Sequence, residues 1–251
     1  MAVLAAVAAN VIVVGVIADA RAATAVAAAW LLLFALVLIV LPRAAHAAFD
    51  DGRHAGAARR YRLLARVAID PGRRAAAWVS VAGCHLAAGD HRRGIAVLDA
   101  LDPAVMDPAT RAAWLNNRAY AVVRSGADPA PALAWAEEAT ALRPDVPGLT
   151  HTLGCALLAA GRVDDAIRAF EAMWSSGDLP PRLEAERCLD LARAWERKGH
   201  HDYAADYRGR AARLCPDVVP AGGLPVPAVA ELGGQDIGAQ GDALLADRDL
   251  A

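Results

Sequence analysis

The chain opens on two apolar stretches parted by a short polar break. Residues Ala2 to Ala18 are apolar except for Asn10, Asp19 and Arg21 interrupt, and a second stretch runs from Ala22 to Leu41 with the block Trp30 to Leu41 at its end. A bilayer core is crossed by a helix of about 17–25 apolar residues. The run 22–41 therefore predicts a transmembrane helix, and 2–18 predicts a second. The break Asp19-Ala20-Arg21 would turn them into a hairpin over residues 1–41. Two processing alternatives stay open. Ala18-Asp19-Ala20 matches a small-x-small cleavage site, although no basic segment precedes it, and cleavage after Ala45-His46-Ala47 would export everything behind it.

Beyond the apolar hairpin the pattern changes to apolar positions at helical spacing, punctuated by glycine and proline. Gly52, Gly89, Gly126, Gly161 and Gly199 recur every 35 to 38 residues, and each is followed by a proline, at Pro71, Pro108, Pro144, Pro180 and Pro216. A helical pattern precedes each glycine and another lies between it and its proline. The unit is helix, glycine turn, helix, proline-marked turn. Glycine accepts the positive φ that a tight helix stop demands, and proline cannot continue a helix. No such pair can bury its apolar face alone, so neighbouring pairs must stack. This predicts an all-α solenoid over 42–217, about four helix pairs plus a partial first one whose leading helix continues the membrane span.

These residues resemble the tetratricopeptide repeat (TPR) family, whose repeat is about 34 residues long with small, aromatic and proline positions at fixed offsets. The segment Pro147 to Pro180 carries Leu153-Gly154, Gly161, Ala166 and Phe170; Ala185 to Asp217 carries Leu191, Trp195, Gly199, Ala204, Ala211 and Pro216. Two departures stand out. Gly94 occupies a usual alanine position, and the third unit gains a residue near Asp128-Pro129. The resemblance covers roughly 44 to 217. It implies a solenoid that binds protein or peptide segments on the concave surface formed by the first helix of each pair.

That implication nominates Asn116, Asn117, Tyr120 and Arg124 in one repeat, His151 with Cys155 in the next, and Arg193 and Arg197 in the last. Arginine can clamp a carboxylate with two parallel bonds, and asparagine can bond an extended backbone through donor and acceptor together. A second candidate is the basic stripe Arg59, Arg62 and Arg66 beside the membrane run, where each arginine near an anionic headgroup is worth about 1 kcal/mol. A solvated helix face is the plainer reading of the same stripe.

Charge sets orientation. Only Arg21 lies between the two apolar runs, whereas Arg43, Arg53, Arg59, Arg60, Arg62 and Arg66 follow the second. The positive-inside rule keeps that end, and the solenoid with it, in the cytoplasm. The whole chain of 251 residues has a formal net charge of −2, without the basic excess of a nucleic-acid surface. From 218 to 251 it is rich in Gly, Pro, Ala and Asp, which predicts a disordered acidic tail.

Reactive chemistry is sparse in the sequence. The cysteines Cys84, Cys155, Cys188 and Cys215 form no C-x-x-C pair, and the seven histidines include no H-E-x-x-H. Neither a G-x-S-x-G elbow nor a phosphate loop is present. The expectation is no enzyme, no metal, no cofactor, no nucleic acid and no small-molecule substrate. The chain reads as a membrane-anchored scaffold or adaptor for a protein or peptide partner at the cytoplasmic face of the cell membrane. The alternative is a structural subunit of a membrane complex, held through the hairpin, where Asn10 could bond a neighbouring helix.

Overall fold

A computed structural model describes residues 2–17, 20–173 and 179–216. The predicted acidic tail lies outside them, as does Asp19 of the predicted break between the apolar runs. Among the described residues every regular element is helical.

The first apolar run is helix α1 (Ala2–Ile17) and the second enters α2 (Ala20–Ala35), packed against α1. The side chain of Asn10 accepts a hydrogen bond from Trp30 Nε1 at 3.4 Å, so this polar group ties the two apolar helices to each other. Helix α2 does not stop at Leu41. It passes through a π-helical turn, Leu36–Val40, into α3 (Leu41–Asp50), giving one continuous helix Ala20–Asp50 of 31 residues. The π turn answers Pro42, which has no N–H to donate and whose ring clashes with the carbonyl one turn back. A single wide turn, in which Leu41 N–H reaches Leu36 O, admits the proline without ending the helix. By length and composition this is the helix among the described residues that could cross a membrane.

Five antiparallel pairs then follow in order: α3 with α4 (His54–Val67), α5 (Pro71–Ala87) with α6 (His91–Asp99), α7 (Pro108–Ser125) with α8 (Pro129–Leu142), α9 (Pro147–Ala159) with α10 (Val163–Ala172), and α11 (Pro181–Arg197) with α12 (His201–Leu214). Each helix packs on the next, and the leading helices α5, α7, α9 and α11 also touch in sequence to form a row. This ladder of helix pairs, with its turn glycines, is a TPR-like fold.

All five repeat glycines take φ between 70° and 81°, the left-handed region that closes a helix. At Gly89, Gly161 and Gly199 the residue after the glycine reaches back to a carbonyl five residues earlier, as in Asp90 N to His85 O at 2.9 Å. The turn at Gly126 differs. Its own N–H reaches Val123 O at 3.4 Å, and Asp128 then caps α8 through Ala130 N, which is how the extra residue near Pro129 is absorbed.

The prolines act differently from the expectation that they end helices. Pro71 and Pro108 open the next helix, each behind an aspartate whose carboxylate takes an orphan N–H: Asp70 from Arg73 at 2.8 Å, Asp107 from Thr110 at 2.7 Å. Proline suits a first helical position because its missing N–H would have no partner there. The core between helices is built on small residues. Ala45, Ala48, Ala57 and Ala58 close the first pair, with Tyr61 hydrogen-bonded to His46 across it. Gly94 and Gly154 are close-approach positions: a Cβ would lie 2.4 Å from Leu86 at the first and 2.4 Å from the Phe170 ring at the second.

Candidate functional site

Helix α7 presents Asn116, Tyr120 and Arg124 one turn apart, and Asn117 beside them. The four do not stand equally free. Asn117 Nδ2 donates to Val79 O of α5 at 3.3 Å, so this amide joins two leading helices. The Oδ1 atom of Asn116 is buried with no hydrogen-bond partner among the described residues. Arg124 is exposed, with its guanidinium 5.9 Å from the Tyr120 ring centre. Burial raises the Tyr120 pKa, opposed by Arg124 and reinforced by the charges of Glu186 and Asp190, which carry across from α11.

Of the remaining groove candidates, Arg197 and His151 are held between repeats and Arg193 within α11. Arg197 Nη1 donates to Leu158 O in the last turn of α9. There it adds a second donor to a carbonyl that already accepts from Gly161 N at 3.2 Å. Arg193 Nη1 bonds Asp190 Oδ1 at 2.5 Å. His151 is 6% exposed, and its Nε2 lies 3.1 Å from Asp190 Oδ2. So His151 and Asp190 are committed to each other between α9 and α11, while Arg193 and Arg197 stand exposed on α11 as Arg124 does on α7.

That commitment brings together a group the sequence did not show. Cys155 sits one turn after His151 on α9. Its Sγ is 3.3 Å from the same Asp190 Oδ2 and 4.0 Å from His151 Nε2. The three possible ligand atoms all lie within 4.8 Å of one another. Burial alone would raise the Asp190 carboxyl, yet the His151 hydrogen bond and charge, with Arg193 behind, hold it at about 2. Burial disfavours a charged His151, but Cys155 and Asp190 raise its pKa well above the ordinary value. Burial, then the Asp190 charge, pushes the Cys155 thiol up.

This is not a nucleophile relay. A working triad places the thiol and the carboxylate on opposite ring nitrogens of the histidine. Here both face Nε2, and a thiol of raised pKa is a poor nucleophile. What the trio can do is form a buried ion pair or ligate a cation. Asp190 was missed because it stands 35 residues from Cys155. The signal that could have pointed to it is the His-x-x-x-Cys spacing, which puts two ligand types on one helix face.

The basic stripe lies on α4. Arg59 and Arg66 are exposed, and Arg62 is half-buried with its Nε 3.4 Å from Ala58 O. Arg59 also borders a shallow depression at the start of α4 with Arg53, His54 and Arg60.

No protein-family profile matches the chain, and no curated protein matches it. Similar solved structures do exist. A crystal structure of MamA is 21% identical with a TM-score of 0.45, covering 69% of this chain and 95% of its own. A chain from Podosopora anserina assigned to kinesin light chain, with nearly identical TPR-like repeats, is 16% identical with a TM-score of 0.48, covering 73% and 97%. YrrB, described as a TPR protein with an unusual peptide-binding site, is 15% identical with a TM-score of 0.44, covering 71% and 87%.

Proposed function

We propose that this chain is a membrane-anchored scaffold that holds a protein or peptide segment on the face formed by α5, α7, α9 and α11, with the helix stack on the cytoplasmic side. The observation that carries the reading is the helix Ala20–Asp50. Its first part exposes Leu31 at 70% and Leu32 at 72%, while its last turns pack Ala45 and Ala48 fully inside the first repeat pair. An apolar surface of that size is costly in water and favourable in a bilayer. Because no loop separates the two parts, the first repeat pair would stand directly at the membrane. The arginines that follow favour the cytoplasmic side by the positive-inside rule.

On the binding face, the exposed Arg124 supplies a cation on α7, beside the Tyr120 ring. A guanidinium placed there suits a bound segment with a carboxylate, which it can clamp with two parallel bonds. No catalytic step is proposed. Asn10 lends the rival subunit reading little, since its carbonyl is engaged by Trp30 within the hairpin.

Two measurements test this. A reporter active only in the cytoplasm, fused after Leu214 of the membrane-inserted protein, should be active, and one active only outside should be silent; the reverse would overturn the orientation. Cross-linking from cells should recover a partner whose capture falls at least about tenfold in Arg124→Ala, the loss of a charge-assisted bond of about 1.5–3 kcal/mol. Undiminished capture would discard this face.

A further inference from the structure

We propose that His151, Cys155 and Asp190 form a binding site for a divalent transition-metal ion of the zinc class, bridging α9 and α11. The ligand types argue for the class. An imidazole, a thiolate and a single carboxylate suit Zn²⁺ and its near neighbours, whereas Ca²⁺ and Mg²⁺ want several oxygens. The geometry argues for the site. Zinc bonds of about 2.0–2.3 Å in a tetrahedron require ligand atoms roughly 3.3–3.6 Å apart. The three separations here are 3.1, 3.3 and 4.0 Å, so less than an ångström of side-chain adjustment brings all three onto one ion.

Three further features agree. His151 and Cys155 are one turn apart on α9, which lets a single helix chelate. Asp190 offers Oδ2 to the site and keeps Oδ1 on Arg193, an outer partner of the kind that orients a metal-binding carboxylate. The side chains of His151 and Asp190 are 8% and 12% exposed, so the ion would be shielded from competing water, while the half-buried Cys155 leaves a way in. Thiolate and carboxylate together match a divalent charge. Three protein ligands leave the fourth position for water or for a side chain of whatever lies on the same face.

Cobalt(II) is the probe, because its spectrum reports both geometry and sulfur. The full chain, purified in mild detergent with a phosphine reductant and freed of metal by chelator, is titrated with Co²⁺ alone. One equivalent should produce tetrahedral visible bands and a near-ultraviolet thiolate-to-cobalt transition, and Zn²⁺ should displace it. Cys155→Ser should lose the thiolate transition. Asp190→Asn should weaken binding by more than about 100-fold, and Arg193→Ala by about tenfold, as expected for an inner ligand against an outer partner. No sulfur transition in the wild-type chain overturns the proposal; so does one undiminished in Cys155→Ser, which would place the ion on another cysteine. Should the variants fail to fold, alkylation of the native chain decides: zinc must protect Cys155 from iodoacetamide, and equal labelling with and without zinc sinks the site.

Discussion

The helix Ala20–Asp50 is one element in two surroundings. From residue 20 to 40 none of its described side chains is buried; residues 20–29 are mostly alanine and residues 31–40 mostly Leu, Val and Ile. From 41 to 50 its buried residues are Ala45 and Ala48, both fully enclosed by α4. The same backbone carries both parts. What differs is the size of the apolar side chains. Between repeats, contact is made by bringing backbones close, so alanine wins; from 31 to 40, where no side chain is buried, leucine predominates. Charge divides the two surroundings as well. No ionisable residue lies between Arg21 and Arg43. The repeat interior, by contrast, encloses Arg187 at 1% exposure, because Glu184 meets it with two bonds of 2.6 Å and Phe170 O accepts a third at 3.2 Å.

The largest way to break this contrast is to place charge where no partner exists. In Leu32→Arg/Leu36→Arg each arginine costs about 2.5–3.5 kcal/mol near the centre of a span. The variant should leave the carbonate-resistant membrane fraction while the stack keeps its helical circular dichroism. Retention in the membrane would refute the span. Removing charge from the interior comes next. Arg187→Ala strips Glu184 of its bidentate partner and should lower stability in denaturant unfolding by about 3–5 kcal/mol, the cost of breaking a buried pair. Arg187→Met, which restores volume, should lose less.

A matched pair of substitutions sharpens the comparison further. Ala48→Leu should destabilise by about 1–3 kcal/mol through overpacking. Ala28→Leu, on the exposed part of the same helix, should leave the stack unchanged and favour insertion by about 0.5 kcal/mol. Equal effects on stack unfolding would dissolve the distinction.

The smallest effect is a helix cap. Asp107→Ala should cost about 1 kcal/mol. The backbone N–H of Thr110 holds the Asp107 pKa below its ordinary value, outweighing burial. A carboxyl lowered by folding stabilises above its unfolded pKa and loses that contribution as pH falls through the folded value. The gap between wild type and variant in urea melts should therefore be full at neutral pH and close in strong acid. A gap that persists there would show that Asp107 acts otherwise.

The fold was more legible than the site. Gly89 and Gly161 announced their turns because only glycine takes positive φ without strain, a constraint written residue by residue. Pro71 was half legible: it marks a boundary, but whether it ends α4 or opens α5 depends on Asp70 capping it. At Pro42 the expected continuation of the apolar helix holds, and a π turn is what lets it run on to Asp50. Among the groove candidates, sequence placed Asn116 and Arg124 on one helix face but could not tell that neighbouring Asn117 is bonded to Val79.

By itself, then, the sequence determined what local rules govern. The length of the apolar runs sets how far a helix can span, the glycine spacing sets the repeat, and the one-turn offset of His151 and Cys155 sets two side chains on a common face. Tertiary structure alone decided which polar groups stay open and which become joints. Arg197 reaches Leu158, and Asp190 reaches His151 and Cys155, only because α9 and α11 pack side by side. That contact depends on how close two helices approach and how each is rotated about its axis. Those quantities are settled by small residues packing across many positions at once, and no single stretch of chain encodes them.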